Sequence, residues 1–303
     1  MKKKWMIGTG IGVGAVMLLA SGLAASAGTS GYEAYKDAWK QSGEMTSIAG
    51  AASFRLTDNG ASLFDASTTF KGDMATQAGS ANVRMTSGKE SHTLNVYHQD
   101  GQTVLKKGDS DVYQVVEKDG EDGAEKTERA DHAMHGKHAE LAENVIDTLV
   151  GQLRQQVTLT EGQNGGKQVA LHLNSAQIPA PVQAIGSFLI TAASSHEEEK
   201  NEGTTDAGTV HDLDVDLPEL VDDVRVTAIN LDANIDKDNY ISAQTAEIVV
   251  TGKDASGKTH ELKAELDMSV TDRDQVVPDR VDLTGKQVET VKPEDAEQHG
   301  RGW

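Results

Sequence analysis

The run from His260 to Val270, HELKAELDMSV, alternates without a break. Leu262, Ala264, Leu266, Met268 and Val270 fall on one side of an extended chain, and Glu261, Lys263, Glu265, Asp267 and Ser269 on the other. A period of two held this long predicts a strand with one buried face and one wet face, and a register slip of one residue would exchange the two. Upstream the same period appears in Ile229, Leu231, Ala233 and Ile235, then in Ala246, Ile248 and Val250, with turns at Asp236-Lys237-Asp238-Asn239 and at Asp254 to Gly257.

The N-terminal half repeats this grammar. Ile48, Gly50, Ala52, Phe54 and Leu56 alternate with Ser47, Ser53, Arg55 and Thr57, and Asp58-Asn59-Gly60 is a hairpin turn that tolerates positive φ. Phe64, Ala66, Thr68 and Phe70 then alternate with Asp65, Ser67 and Thr69. Further strands are predicted at Ala81 to Thr86, His92 to Gln99, Gln102 to Lys107 and Val112 to Val116, joined by short Gly-containing links. The expectation is a meander of about six antiparallel strands, followed later by three or more. Residues 54 to 96 and 231 to 268 also share turn chemistry, Asp-Asn and then Ser-Gly-Lys, which raises an internal repeat as one reading and coincidence of turn residues as the other.

Three stretches have the helical period instead. Tyr32, Tyr35 and Trp39 predict a short helix over Tyr32 to Gln41, stopped by Gly43. Leu141, Ala142, Val145, Ile146, Leu149, Val150 and Leu153 predict a longer one, and Pro181 to Ala193, uncharged throughout, a third that begins after Pro179 and Pro181. A sheet with one apolar face must cover it, and the two later helices are the obvious cover, so the fold class is α+β. Polar inserts are expected at 117–138 and at 196–223, where eleven acids face one Lys, and a flexible tail at 287–303.

The N-terminus carries an address. Lys2, Lys3 and Lys4 precede an uncharged stretch from Trp5 to Leu23 and the small residues Ala25-Ser26-Ala27, the pattern of a secretory signal peptide over residues 1–27. The uncharged stretch is about 20 residues, so an uncleaved membrane anchor is the alternative. Gly22 stands where a lipidated Cys would follow Leu19-Ala20-Ser21, which removes a lipoprotein anchor. The expected location is extracytoplasmic.

Across 303 residues there are 28 Lys and Arg against 48 Asp and Glu, a net charge of −20. That field repels a phosphate backbone and disfavours nucleic acid as partner. The chain has no Cys, which removes disulfides, thiolate metal sites and thiol catalysis. No Gly-x-Ser-x-Gly elbow or His-Glu-x-x-His motif is present, and the reading is of a non-enzyme without a cofactor.

Element order, the export signal and the opening Tyr32-Glu33-Ala34-Tyr35 through Trp39-Lys40 together resemble the LolA-like family of extracytoplasmic carriers, including LppX-like lipid-binding relatives. The resemblance spans residues 32 to about 285. It implies one domain over 28–286: a curved antiparallel sheet, an incomplete β-barrel, with helices covering the concave face and an apolar cavity between them. Candidate lining residues are Phe54, Phe64, Phe70, Leu94, Ile185, Phe188, Leu262, Leu266 and Met268, each of which taken singly reads more readily as plain core than as lining. The implied function is an exported carrier of a lipid or acyl chain, with a membrane or another envelope protein as further partner. The alternative is an extracytoplasmic interaction or sensor module acting through its acidic surface.

Two metal patterns complete the sequence reading. His132, His135 and His138 have His-x-x-His-x-x-His spacing, of which two side chains could share one Zn²⁺ or Cu²⁺. Asp212, Asp214 and Asp216, and separately Asp236, Asp238 and Glu247, partly match calcium-loop spacing, but Leu217 and Ile241 stand where such a loop needs Gly.

Overall fold

The computed structural model describes residues 30–108, 110–116, 153–180, 182–183 and 215–291. The signal segment, the second predicted helix up to its last residue, Leu153, nearly all of the third, and His132, His135 and His138 lie outside them, as do Ile185 and Phe188.

The chain enters through helix α1 (Gly31–Ser42). The Ser30 side chain caps it by accepting the amide of Glu33 at 3.2 Å, and Tyr32, Ala34, Tyr35 and Ala38 form its buried face. Gly31 is needed because a Cβ there would stand 2.6 Å from the Thr158 carbonyl oxygen.

Twelve strands make one sheet: β1 (Ser47–Asp58), β2 (Ala61–Asp73), β3 (Ala78–Ser87), β4 (Glu90–Gln99), β5 (Gln102–Lys107), β6 (Val112–Val116), β7 (Thr158–Glu161), β8 (Lys167–Asn174), β9 (Asp222–Ile235), β10 (Ile241–Lys253), β11 (Thr259–Arg273) and β12 (Gln287–Val291). Their spatial order is β12-β6-β5-β4-β3-β2-β1-β11-β10-β9-β8-β7. The two edges do not pair with each other, so the sheet is open. Every neighbouring pair is antiparallel except β12 with β6, which is parallel.

Of the expected α+β architecture the large open antiparallel sheet is present, but among the described residues it carries one long helix, not the several helices expected to cover a concave face. The third predicted helix begins where Pro179 and Pro181 suggested, the amide of Gln183 bonding to the Pro179 carbonyl at 3.0 Å. Two segments depart from the sequence reading. Gln287–Val291, read as the start of the tail, is β12. Residues 215–223, read as the end of a solvated insert, bury Val215 and Leu220 to 1% exposure each and begin β9 at Asp222. Their acids turn outward, as does Val221, while Val215, Leu217 and Leu220 turn in.

The parallel edge follows from a long crossover. After β11 the chain runs over the ends of β1 to β5, tied at each step: the Val276 amide to Ser47 Oγ at 2.9 Å, the Asp279 amide to Ser80 Oγ at 2.9 Å, Lys71 Nζ to Asp279 at 2.7 Å, and Gln99 to the Val281 backbone in both directions at 2.8 and 2.9 Å. It crosses at the end of the sheet where β5 begins and β6 finishes, whereas β12 starts at the other end, with Gln287 opposite Val112, and so runs back alongside β6 in the parallel sense.

The suggested repeat does not hold. Residues 54–96 cover parts of four strands, with both signal turns at one end of the sheet. Residues 231–268 cover three, with the turns at opposite ends. The shared motifs are turn chemistry alone.

Candidate functional site

Register places the sequence-predicted residues on one face. Phe54 lies opposite Leu266 on one side and Ala66 on the other; Ala52 lies opposite Met268 and Thr68; Leu56 opposite Ala264 and Phe64; Val83 opposite Leu94. Because β1 has no bulge between Gly50 and Leu56, alternation holds across the centre.

This face is covered unevenly. Toward β8, a large cluster joins Ala34, Tyr35 and Ala38 of α1 to Val169, Leu171, Leu173, Leu231, Ala233, Ile235 and Val250, with Leu153, Ile178 and Leu220 closing over it. Toward β3, a smaller cluster packs Val215 on Leu56, Phe64 and Met85. Leu217 and Leu63 touch both clusters, so the segment Val215–Leu220 lies along the apolar face like a strap. No strand ladder holds it: its described backbone bonds are Leu217 N–H to the Val215 carbonyl and, just beyond, Val221 N–H to the Lys253 carbonyl.

Between the clusters the face is half open. Phe54, Ala66, Leu266 and Met268 are half-buried, and Ile248, opposite Ala264, is 44% exposed. Of the candidate lining residues, Phe64, Leu94 and Leu262 are closed off as core, with Phe54 stacked obliquely on Phe64 at 6.2 Å between centroids. Phe70 is half-buried and folds over Gly50, where a Cβ would meet its ring at 2.7 Å. Leu266, Met268 and Phe54 remain as the open band.

One polar device sits inside the apolar face. Gln244, 5% exposed, accepts the Tyr35 hydroxyl at 2.6 Å, and burial pushes that hydroxyl up to about 12, only partly offset by the bond. It pins α1 to β10.

A shallow hollow of about 470 Å³ is bounded in part by Ala52, Gln244 and Met268 and otherwise, from the opposite face, by residues that include Ser53, Ser67, Thr69, Asn82, Arg84 and Asp267. The latter are the outward neighbours of the open band, small and hydrophilic.

At one end of the sheet His260, 4% exposed, faces two carboxylates, Asp58 at 2.8 Å from Nδ1 and Asp254 at 3.3 Å from Nε2, tying the β1–β2 turn to the β10–β11 turn. The ring stands between the acids, so all three cannot turn toward one ion. Asp254 is pulled down to about 2, first by the Ser256 hydroxyl and further by the Lys258 amide and His260. Of the calcium-like series, Asp236 and Asp238 are taken up by Arg273, which stacks on Tyr240 at 4.1 Å, while Glu247 bonds Asn230 at 2.7 Å and Lys263 at 3.3 Å. Among the described residues no group of three His, Asp or Glu side chains is placed to hold a metal ion, and no helix is long and apolar enough to cross a membrane.

Sequence reasoning missed Val215, Leu217 and Leu220. Their signal was present as alternation of Leu213, Val215 and Leu217 with acids, but the charge density masked it.

No family model and no curated protein matches the chain. A solved structure that it does match is a β-barrel-like protein of the domain of unknown function DUF1849 from Brucella abortus, at 11% identity and a TM-score of 0.17, covering 74% of this chain and 98% of that one. Among the described residues the molecule is an open twelve-stranded sheet with one partly exposed apolar face.

Proposed function

We propose that this chain is an exported, non-catalytic binding protein that carries a lipid or acyl chain along the apolar face of its sheet, in the manner that the LolA-like resemblance implies. The observation that carries this reading is Ile248, exposed by 44% in the middle of an apolar face whose two flanks are filled, beside half-buried Phe54, Leu266 and Met268. A solvated Ile surrounded by Ala and Leu gains from any apolar occupant, at about 25 cal/mol per Å² removed from water. A methylene chain needs no reacting group, which suits a face built from Ala, Leu, Ile, Met and Phe.

The test is native mass spectrometry of the protein purified from its own host without detergent, with organic extraction of what is bound, alongside uptake of a fluorescent fatty acid. A co-purifying lipid or acyl species, with uptake lost in Ile248→Glu at unchanged thermal stability, is the expected result. A clean apo mass and no uptake by the wild type overturns it and favours the acidic interaction module. Ile248 suits this test because an exposed position tolerates a charge without unfolding the sheet.

A further inference from the structure

Arg154 is built differently from the arginines that meet carboxylates. Arg55 bonds Asp65 at 2.8 Å, Arg273 holds Asp236 and Asp238, and Arg280 meets Asp100. Arg154 lies in the short turn between Leu153 and Val157 with its guanidinium over the ring of Tyr32, 4.8 Å from the centroid, and its Nε and Nη2 are buried with no hydrogen-bond partner among the described residues. This occurs in a chain with 20 more acids than bases, 48 against 28.

Nε and Nη2 form one edge of the guanidinium, and their N–H bonds point the same way. That edge is the fork which a carboxylate or phosphate engages with two parallel, charge-assisted bonds. Buried donors on a charged group are costly to leave unmade, and the Tyr32 ring compensates the charge through its face without satisfying either N–H. The fork is therefore formed and held in orientation by the ring, and neither of its N–H donors meets an acceptor among the described residues. Leu153 is buried in the large apolar cluster and Val157 packs against it, so an anion seated on the fork stands at the cluster's edge.

We propose that Arg154 is an oxyanion site, taking the carboxylate or phosphate of an anionic ligand side-on, with an anionic amphiphile as the ligand class that its apolar neighbours fit. The amphiphile rests on the carrier reading above; the oxyanion does not. Arg154 is a binding residue in this scheme, and its specificity is for a planar or tetrahedral oxyanion over an uncharged headgroup.

The experiment compares the full chain with Arg154→Lys, which keeps the charge and the aliphatic stem but lacks the fork, and with Arg154→Met. The probes are oleate, oleyl alcohol and inorganic phosphate, read by calorimetry and by thermal melting. The expected result is oleate binding about ten-fold weaker in Arg154→Lys, the size of one charge-assisted bond lost, while oleyl alcohol binds all three proteins alike. Ligand-free Arg154→Met is expected to melt no lower than the wild type, because it removes an unsatisfied charge. If phosphate raises the melting temperature of the wild type alone and neither oleyl compound binds, the oxyanion site stands and the carrier reading falls. If oleate binds all three proteins equally and phosphate shifts none, the site is overturned and the carrier reading stands. Binding of no probe by the wild type overturns both.

Discussion

The flank of the sheet around β8 and β9 and its centre around β1 and β11 have the same alternation in sequence but different fates. Val169, Leu171 and Leu173 on β8 are all 5% exposed or less, capped by α1 and by Ile178 and Leu220. Phe54, Leu266 and Met268, equally apolar and equally periodic, are half-buried. Alternation tells which side of a strand is apolar; what lies on that side decides whether the residue is core or surface. The uneven cover makes the centre the place where a ligand gains most and the flank the place where the fold does.

Mutations at paired positions break or sharpen this contrast. The largest effect is expected at Leu173→Ala, which leaves a cavity in the closed flank and costs about 2–5 kcal/mol in denaturant unfolding. A cost under about 1 kcal/mol would mean that the flank is as open as the centre. Next is the alkaline limit set by Tyr35. Unfolded Tyr ionises near pH 10 and Tyr35 in the fold near about 12, so its contribution is whole below pH 10 and drains away as pH rises toward 12, by about 2–3 kcal/mol. Tyr35→Phe removes that slope, and an unchanged alkaline limb in this variant would show that α1 is not pinned through Gln244.

Leu266→Ala comes third. It should cost about 1–2 kcal/mol, because a half-buried side chain loses less transfer energy and leaves no enclosed void, and it should weaken acyl uptake more than Leu173→Ala does. Equal destabilisation by the two would erase the distinction between centre and flank. The smallest effect lies on the acid side. The Asp254 carboxyl, held down to about 2, contributes stability above the ordinary carboxylate range that is lost as pH falls from about 4 toward 2. Asp254→Asn should flatten that limb in an acid titration, and a limb that persists would place the acid sensitivity elsewhere.

How much of this was legible beforehand varies by element. Strands β4, β5, β6 and β11 could be placed from residue chemistry alone, because their alternation and their Gly-containing turns, such as Asp100-Gly101 and Ser256-Gly257, are local properties. The apolar face was legible for the same reason, and register then brought Phe54, Leu266, Ala52 and Met268 together as neighbours. The strap was not, since Val215, Leu217 and Leu220 lie in a stretch where acids outnumber apolar residues, and only packing reveals them as core, Val215 and Leu217 with Leu56, Phe64 and Met85, and Leu220 with the larger cluster. β7 was missed because its four residues, three of them exposed, have too short a pattern to register.

The sequence by itself determined the strand periods, the turns, the capped first helix, the acidity and the absence of thiol chemistry, all set within a few residues of chain by φ/ψ preference, side-chain alternation and charge. Tertiary structure alone decided that β1 pairs with β11 across more than 200 residues, that β12 arrives parallel to β6 after a long crossover, that Arg154 rests on Tyr32 with its fork meeting no acceptor among the described residues, and that one part of an apolar face is sealed while another stays open. Those outcomes depend on which distant segment reaches a surface first and fits it, and a local period carries no information about that.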